Sequence, residues 1–213
     1  MKRVSRAGII FSFICLTLIY GYYRPFAKDK ATRHENTYRK NPANFEKVRL
    51  RQYARNATVF IRKNDLCETF CFLVDMRISS GRKRFFVFDL SKDSIAAEGL
   101  VTHGSGSVTG TEALQFSNRV HSNASSLGIY KTGGEYTGRF GDAFKLYGLQ
   151  LTNNNAYRRA VVLHAHPLVP PDEVWPEEIC TSWGCPTVNP AFLELLKKYI
   201  THADKPVLLW IFY

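Results

Sequence analysis

The chain has 213 residues, of which 45% are hydrophobic and 14% aromatic, which is sufficient for one domain with a buried core and an appendage. The net charge of +11 lies towards the N-terminus: residues 24–63 hold twelve Lys or Arg against three acids, whereas residues 64–213 have a net charge of −1. This distribution argues against a nucleic-acid-binding groove and favours contact of residues 24–63 with an anionic membrane or cell-wall surface.

The first residues predict an export signal. Lys2, Arg3 and Arg6 precede an uncharged apolar run over residues 7–23, which is the layout of a secretory signal peptide or an uncleaved signal anchor. A buried core helix is the less favoured alternative. We assign residues 1–27 to the signal, leave its cleavage open, and expect the rest of the chain to lie outside the cytoplasm.

Residues 28–65 predict a basic linker followed by an amphipathic helix. Asn41 and Pro42 are typical of a helix start, with Asn as the cap and Pro at the first helical position. Apolar residues then recur at helical spacing to about residue 63. We expect the apolar side of this helix to pack on the domain that follows, with contact to a membrane surface as the lesser alternative.

Residues 66–213 predict a mainly β (α+β) domain. The β-rich runs TFCFLVDM, RFFVFDL and AAEGLVTHG precede glycine-punctuated segments predicted as strands, among them FSNRV and RRAVVLHAH. A helix is predicted to begin at Asn189 and Pro190, and the run PVLLWIFY predicts a buried strand. The pattern indicates a compact β-rich domain with one late helix and a helix ahead of it.

Five cysteines leave the redox state of the chain open. Cys15 lies in the apolar leader, which leaves four in the body of the chain. In an oxidising compartment Cys67 and Cys71 could form a disulfide, or one of them could pair with Cys180. The sequence does not distinguish these pairings.

A zinc-bound structural domain is a lesser alternative for the later residues. His164, His166, Cys180 and Cys185 belong to the residue types that bind zinc. The Cys-x4-Cys spacing is loose, however, and the His-x-His pair lies far from it along the chain. We therefore predict no metal and no cofactor.

The segment CTSWGCP at 180–186 favours a reactive thiol at Cys185. A free thiol is only slightly ionised at neutral pH, so a catalytic cysteine requires a base or a positive environment. Gly184 permits a sharp turn in which the successive amides of Trp183, Gly184 and Cys185 could hold an oxyanion. His164 ends the apolar run AVVLH, so a Cys–His pair suited to acyl transfer through a thioester is predicted.

Several longer segments carry a family resemblance. The run FSNRVHSNASSLGIYKTGGEYTGRFG, followed by LYGLQLTNNNAYRRAVVLHAHPLV and TSWGCPTV, resembles the murein L,D-transpeptidase catalytic domain family (YkuD-like), in the branch whose motif reads SWGCP. The segment THGSGS at 102–107 is similar to the His-Gly-x-Gly-Ser loop of that branch. The resemblance covers roughly residues 66–213 and implies an L,D-transpeptidase-like β-sandwich or barrel.

The resemblance also implies catalytic roles. Cys185 falls on the nucleophile and His164 on the general base, whose ring the backbone carbonyl of Ala165 would orient. Gly184 falls on the oxyanion-hole turn, and Ser182 opens the motif.

Substrate recognition is implied for a second group of residues, which match cleft positions of the branch: His103, Asn118 and Arg139. The chain departs from the wider family at Trp183, which replaces a common histidine and would form an apolar wall. Thr187 replaces an arginine or asparagine, so recognition of a donor carboxylate would pass to Arg139 or Arg158. His166 fits a surface or cleft-rim residue better than a second base.

The activity implied is formation of 3–3 cross-links between peptidoglycan stem peptides outside the cytoplasmic membrane, with no nucleic-acid partner. Hydrolysis of the same bond, an L,D-carboxypeptidase activity, is the first alternative, and the sequence does not identify the acceptor amine. A non-catalytic cell-wall-binding domain is another. Retained thiol reactivity towards a β-lactam such as a carbapenem would argue against a domain without chemistry. The oligomeric state is not predicted.

Overall fold

The computed structural model describes residues 42–110 and 113–213. The chain divides into two compact units, residues 1–49 and residues 50–213. Of the first unit only the opening turns of helix α1 are described, so the predicted export signal over residues 1–27 and most of the basic linker lie outside the described residues.

Helix α1 spans Pro42–Lys63, which confirms the helix predicted from the Asn-Pro start. From Leu50 onward its buried residues, which include Ala54, Ala57 and Ile61, follow the spacing of one helix face. They pack in a cluster with apolar side chains from the sheet, among them Leu73, Ile129 and Phe212. The expectation that the apolar side packs on the domain is therefore confirmed.

Eight strands form one sheet in the order β3-β2-β1-β8-β4-β5-β6-β7. Their bounds are β1 Phe70–Asp75, β2 Phe85–Asp89, β3 Ser94–Gly99, β4 Gly128–Gly138, β5 Gly141–Gly148, β6 Val162–Ala165, β7 Thr187–Val188 and β8 Leu208–Phe212. The β1–β8 and β6–β7 pairs are parallel and the other pairs are antiparallel. Val101, just beyond one edge strand, forms a bridge with Val188 in the other, so the sheet curls towards a barrel.

Helix α2 spans Pro190–Thr201 and covers the other side of the sheet. The side-chain oxygen of Asn189 accepts a hydrogen bond from the Ala191 amide at 2.9 Å, as expected of a helix cap. Leu193 and Leu196 of this helix pack in a cluster that holds Phe72 and other sheet residues. The prediction of a mainly β domain with one late helix and one N-terminal helix is confirmed.

Two of the predicted strands differ from the structure. Residues 116–120, FSNRV, form a loop rather than a strand, and their polar groups bond to neighbouring loops instead of to a sheet. The run AAEGLVTHG is a strand only as far as Gly99, after which the chain continues as a loop with one 3-10 turn at Ser105–Ser107. In the second half of this run only single bridges form, from Val101 to Val188 and from Gly104 to Ser182.

The four cysteines of the described residues are free thiols: Cys67, Cys71, Cys180 and Cys185. Neither disulfide pairing that the sequence left open is present among them. Within residues 42–110 and 113–213, no helix combines the length and the apolar character needed to cross a membrane.

Candidate active site

A pocket of about 470 Å³ lies at the edge of the sheet formed by β6 and β7, beside the β4–β5 hairpin. It brings together most of the residues that the sequence singled out. Its lining includes Arg139, His164, His166, Ser182, Trp183, Cys185 and Thr187. Residues that are distant in sequence therefore share one cavity.

The turn before Cys185 requires a glycine. Gly184 has a φ of +106°, which favours glycine, and a Cβ atom there would lie 2.7 Å from the Ala124 carbonyl oxygen. The Ser182 hydroxyl donates to the Cys185 carbonyl oxygen at 2.7 Å and accepts from the Gly184 amide at 3.1 Å. This hydroxyl therefore fixes the turn internally.

The internal bond changes which amides are available to an oxyanion. The Gly184 amide is engaged by Ser182, although the sequence predicted it as part of the oxyanion-hole turn. In the described part of the chain, the amides of Trp183 and Cys185 have no hydrogen-bond acceptor. Those two donors are the ones that an oxyanion could occupy without a rearrangement.

The loop at residues 102–107 hydrogen-bonds to the turn that begins at Ser182. The Ser182 amide donates to the His103 carbonyl oxygen at 2.9 Å, and the Ser105 amide donates to the Ser182 carbonyl oxygen at 2.7 Å. The His103 side chain is only 2% exposed and does not line the pocket. The structure thus places His103 beneath the turn of residues 182–185, which we call the nucleophile turn after the role predicted for Cys185. It does not place His103 in the substrate cleft, where we expected it.

The His103 imidazole is held by a buried arginine. Arg84 donates to the carbonyl oxygens of Val101 and Ile78, and its guanidinium lies 3.0 Å from His103 Nδ1. Because arginine only donates, Nδ1 accepts and Nε2 carries the proton, and Nε2 is buried without a partner. Burial, together with the Arg84 charge, lowers the pKa of His103 to about 4, so the ring is neutral at pH 7.

His164 has a defined tautomer at the end of β6. Its Nδ1 lies 3.0 Å from the Ala165 carbonyl oxygen and therefore donates to it, which leaves Nε2 as an acceptor. The Thr187 hydroxyl lies 3.0 Å from Nε2 and donates to it. Burial lowers the pKa of His164, the Ala165 hydrogen bond opposes this, and nearby His166 adds to the lowering. The ring is thus a neutral base with Nε2 as its basic atom.

The wall over His164 is aromatic. Phe140, at the tip of the β4–β5 hairpin, stacks on the imidazole with ring centres 5.5 Å apart and planes 19° apart. The same ring contacts His166 edge to face at 5.4 Å. The stacked ring shields one face of the base from water.

The Cys185 sulfur lies in the same pocket, with hydrogen bonds of its own. The Val162 amide donates to Sγ at 3.5 Å, and the thiol donates to the Ala160 carbonyl oxygen at 3.7 Å. Burial raises the pKa of this thiol, while the Val162 amide and the Arg159 charge oppose the rise. The thiol and the imidazole of His164 thus share a cavity but hydrogen-bond to different partners, as catalytic pairs often do without substrate.

The predicted substrate-binding residues divide into two groups. Arg139 and Trp183 line the pocket, and Trp183 is 77% exposed. Thr187 also lines it, and its hydroxyl bonds to the imidazole of His164. Asn118 lies outside the pocket, where its amide holds the carbonyl of Leu151.

Sequence reasoning missed one residue beside the nucleophile, Arg159. It weighed the neighbouring Arg158, which is exposed and does not line the pocket. Arg158 and Arg159 both lie in the turn before β6, where no strand or helix periodicity distinguishes an exposed from a half-buried arginine, so the sequence carries no signal for Arg159.

No group of three or more His, Cys, Asp or Glu side chains in residues 42–110 and 113–213 is placed to hold a metal ion. The zinc arrangement of His164, His166, Cys180 and Cys185 is therefore not formed.

A cysteine thiol and a neutral histidine share one pocket at the edge of a curled sheet, an arrangement that suits acyl transfer through a thiol. The chain belongs to the L,D-transpeptidase catalytic domain family, whose model matches residues 41–211. This match confirms the resemblance found in the SWGCP and THGSGS segments and indicates an enzyme family that acts on peptidoglycan.

Several solved structures are similar to this chain. They are Bd1075 from Bdellovibrio bacteriovorus (19% identity, TM-score 0.41, 69% of this chain and 50% of that one), the helical cell shape determining protein Pgp2 from Campylobacter jejuni (15%, 0.42, 67% and 47%) and an L,D-transpeptidase from Xylanimonas cellulosilytica (11%, 0.39, 67% and 60%). The chain thus spans about half the length of the first two. No curated relative matches the sequence.

Proposed function

We propose that this chain is an exported peptidoglycan L,D-transpeptidase that forms 3–3 cross-links through a thioester on Cys185, with His164 as general base. The observation that carries the proposal is a single pocket that holds the Cys185 thiol, a fixed turn with two unengaged amides, and an imidazole whose tautomer the Ala165 carbonyl sets. Membership of the L,D-transpeptidase catalytic domain family supports it.

The first step makes the thiolate. The Thr187 hydroxyl also lies 3.4 Å from the Cys185 carbonyl oxygen, so its proton can turn from His164 Nε2 to that oxygen. Nε2 is then free to take the Cys185 proton once substrate brings the two groups together. The sulfur keeps the electron pair and becomes the nucleophile.

Acylation and its resolution follow. The thiolate attacks the carbonyl that joins the third residue of a stem tetrapeptide to its terminal D-alanine, and the amides of Trp183 and Cys185 hold the oxyanion. The imidazolium of His164 protonates the departing D-alanine amine, which leaves a thioester. A side-chain amine of a second stem peptide then attacks the thioester, His164 takes its proton, and the Cys185 thiolate is released.

The pocket suits an anionic donor. Arg139 is the one side chain among its lining residues that carries a permanent charge, and the other walls are largely apolar, with Phe140 and Trp183 prominent. A carboxylate of the donor stem peptide therefore finds its cation at Arg139. Thr187 cannot provide one, because its side chain is uncharged.

Peptidoglycan lies outside the cytoplasm, so the proposal includes export by residues 1–27. The basic segment over residues 24–63 then faces an anionic membrane or wall surface. If a chain that lacks residues 28–41 but keeps the leader (residues 1–27) and helix α1, which packs on the sheet, shows unchanged envelope association, the basic linker has no such partner.

The test uses the full chain and a disaccharide-tetrapeptide that ends in D-alanine. Intact-mass spectrometry should detect a thioester adduct, and product analysis should detect released D-alanine. Both should be absent in Cys185→Ala and should fall sharply in His164→Ala. A dimeric product supports the transpeptidase, a tripeptide product indicates the L,D-carboxypeptidase, and D-alanine release that persists in Cys185→Ala overturns the proposed nucleophile.

A carbapenem offers an independent probe of the thiol. Intact mass should show one covalent adduct on the wild-type chain and none on Cys185→Ala. A folded wild-type chain with neither adduct nor turnover would instead fit a domain that binds the cell wall without chemistry.

A further inference from the structure

Arg159 lies in the turn before β6, half-buried beside the nucleophile turn. Its Nη1 donates to the Ser117 carbonyl oxygen at 2.9 Å and to the Ser126 hydroxyl at 3.1 Å. Its Nη2 donates to the Ser122 hydroxyl at 3.3 Å and closely to the Ala124 carbonyl oxygen. Four hydrogen bonds therefore fix the guanidinium in one position.

All four acceptors of Arg159 are neutral. In the described residues, no carboxylate lies within ion-pair distance of this guanidinium. A half-buried positive charge without an acidic partner is unusual, because removal of a charge from water is costly unless an opposite charge compensates it. The position is thus suited to an anion that the resting protein does not contain.

The nearest place for that anion is the nucleophile turn. A Cβ atom on Gly184 would lie 3.1 Å from Arg159 Nη2, so the guanidinium is in contact with the residue that precedes Cys185. The Arg159 charge also interacts with the Cys185 thiol and with the Tyr130 phenol. The three groups therefore form one electrostatic cluster under the pocket.

We propose that Arg159 is a positioning residue that provides the counter-charge of the Cys185 thiolate. It acts through the nucleophile and does not touch the substrate. The inference rests on the proposed function only in taking Cys185 as the reacting thiol, and it adds a residue that neither the motif nor the family match assigns.

Other groups near the sulfur do not supply this charge. The titratable or charged groups that line the pocket or interact with Cys185 are Arg139, Tyr136, His164, His166, Cys180, Tyr130 and Arg159. Burial raises the pKa of Tyr130 to about 12, so the phenol is neutral, and the lowered pKa of His164 leaves its ring neutral. Arg139 is charged but stands exposed at the hairpin tip. Arg159 is the fixed cation closest to the nucleophile turn.

The test is the pH dependence of thiol alkylation, which needs no peptidoglycan substrate. Iodoacetamide adducts on the full chain are followed by intact mass from pH 5 to 10, and the Cys185→Ala variant gives the background from the other four cysteines. Loss of a nearby opposite charge raises a thiol pKa by about 1–3 units. We therefore expect Arg159→Gln to shift the profile to higher pH and to lower the alkylation rate at pH 7 at least about tenfold.

Two matched variants separate charge from structure. Arg158→Gln removes the same charge from the exposed neighbour and should leave the profile unchanged. Arg159→Lys keeps the charge but cannot make all four hydrogen bonds, so we expect a lower melting temperature with a profile close to wild type. If Arg159→Gln does not fold, Arg159→Lys decides alone.

The proposal is overturned if Arg159→Gln folds and keeps the wild-type profile, or if Arg159→Lys shifts the profile upward. Either result would reduce Arg159 to a structural anchor of residues 117–126. Because alkylation reports only on the thiol, a failure of D-alanine release in the wild-type chain would overturn the proposed function without affecting this result.

Discussion

The two histidines near the nucleophile turn, the buried His103 and the half-buried His164, have opposite surroundings. His103 faces the guanidinium of Arg84 and lies beneath the turn. Its Nε2 is buried and has no hydrogen-bond partner among the described residues. His164 faces a carbonyl and a hydroxyl, and its ring lines the pocket. Burial lowers the pKa of both, but only His164 has a basic nitrogen that a small proton shift can free.

The comparison shows that neutrality alone does not make a histidine a base. An adjacent cation makes the protonated form of His103 still less favourable, so that ring serves as a fixed support. The carbonyl beside His164 stabilises its protonated form, which a general base must reach during the reaction.

The largest expected effect follows from removal of the proposed base. His164→Ala should reduce D-alanine release by about 10²–10⁴-fold, because a positioned general base contributes that much. The rate of release from the disaccharide-tetrapeptide is the measurement, with Cys185→Ala as the zero. A loss of less than about tenfold in a folded variant would transfer the role of base to another group.

The next effect concerns the support under the turn. Arg84→Gln leaves several buried acceptors without full partners, among them Val101 and Ile78, at about 1–3 kcal/mol each. We expect the free energy of unfolding to fall by about 4 kcal/mol in urea titrations. The exposed Arg158→Gln is the matched control, and an equal, small loss in both variants would contradict a structural role for Arg84.

Acid should destabilise the fold through His103. Its pKa of about 4 in the folded state lies below the ordinary value of 6.5, so between these values the unfolded chain binds a proton that the folded chain does not. The contribution is fully present above pH 6.5 and is lost as the pH falls towards 4, at about 3 kcal/mol.

The measurement is the free energy of unfolding at pH 7, 5 and 4 for the wild type and His103→Gln. His164 destabilises the fold in the same direction in both chains, so the difference isolates His103. Parallel pH dependence in the two chains would show that His103 does not titrate in this range.

The smallest expected effect belongs to Thr187. Thr187→Val removes the hydroxyl on His164 Nε2, which favours the neutral ring, so the acidic limb of kcat/KM should move to higher pH. Stability should fall by about 1 kcal/mol, the worth of one hydrogen bond. Thr187→Ser restores the hydroxyl and should restore the limb, whereas an unshifted limb in Thr187→Val would mean that this contact does not act on the base.

The features that the sequence predicted depend on residues that are close together along the chain. Both helices begin at an Asn-Pro pair, and the SWGCP segment identifies the thiol and its glycine turn, because one glycine at positive φ is enough to define it. The carbonyl contact expected of Ala165 is present, since it uses only the backbone of the next residue.

Features that depend on pairing between distant segments were not predictable. Glycine and serine in residues 102–107 are typical of an exposed loop. In the structure the loop hydrogen-bonds to Ser182, and most of its residues are buried. Arginines are usually exposed, so the fully buried Arg84 and the half-buried Arg159 have no composition signal. Thr187 meets His164 only because β6 and β7 lie parallel and side by side.

Strand β8 has a consequence for the order of folding. It lies between β1 and β4 and is the link between the β1–β3 and β4–β7 halves of the sheet. Strands β1–β3 can therefore join strands β4–β7 only after residues 208–212, more than a hundred positions later in the chain, have formed β8. Such distant pairing slows folding, so the polypeptide stays open for longer, which suits a protein proposed to cross a membrane before it takes its final shape.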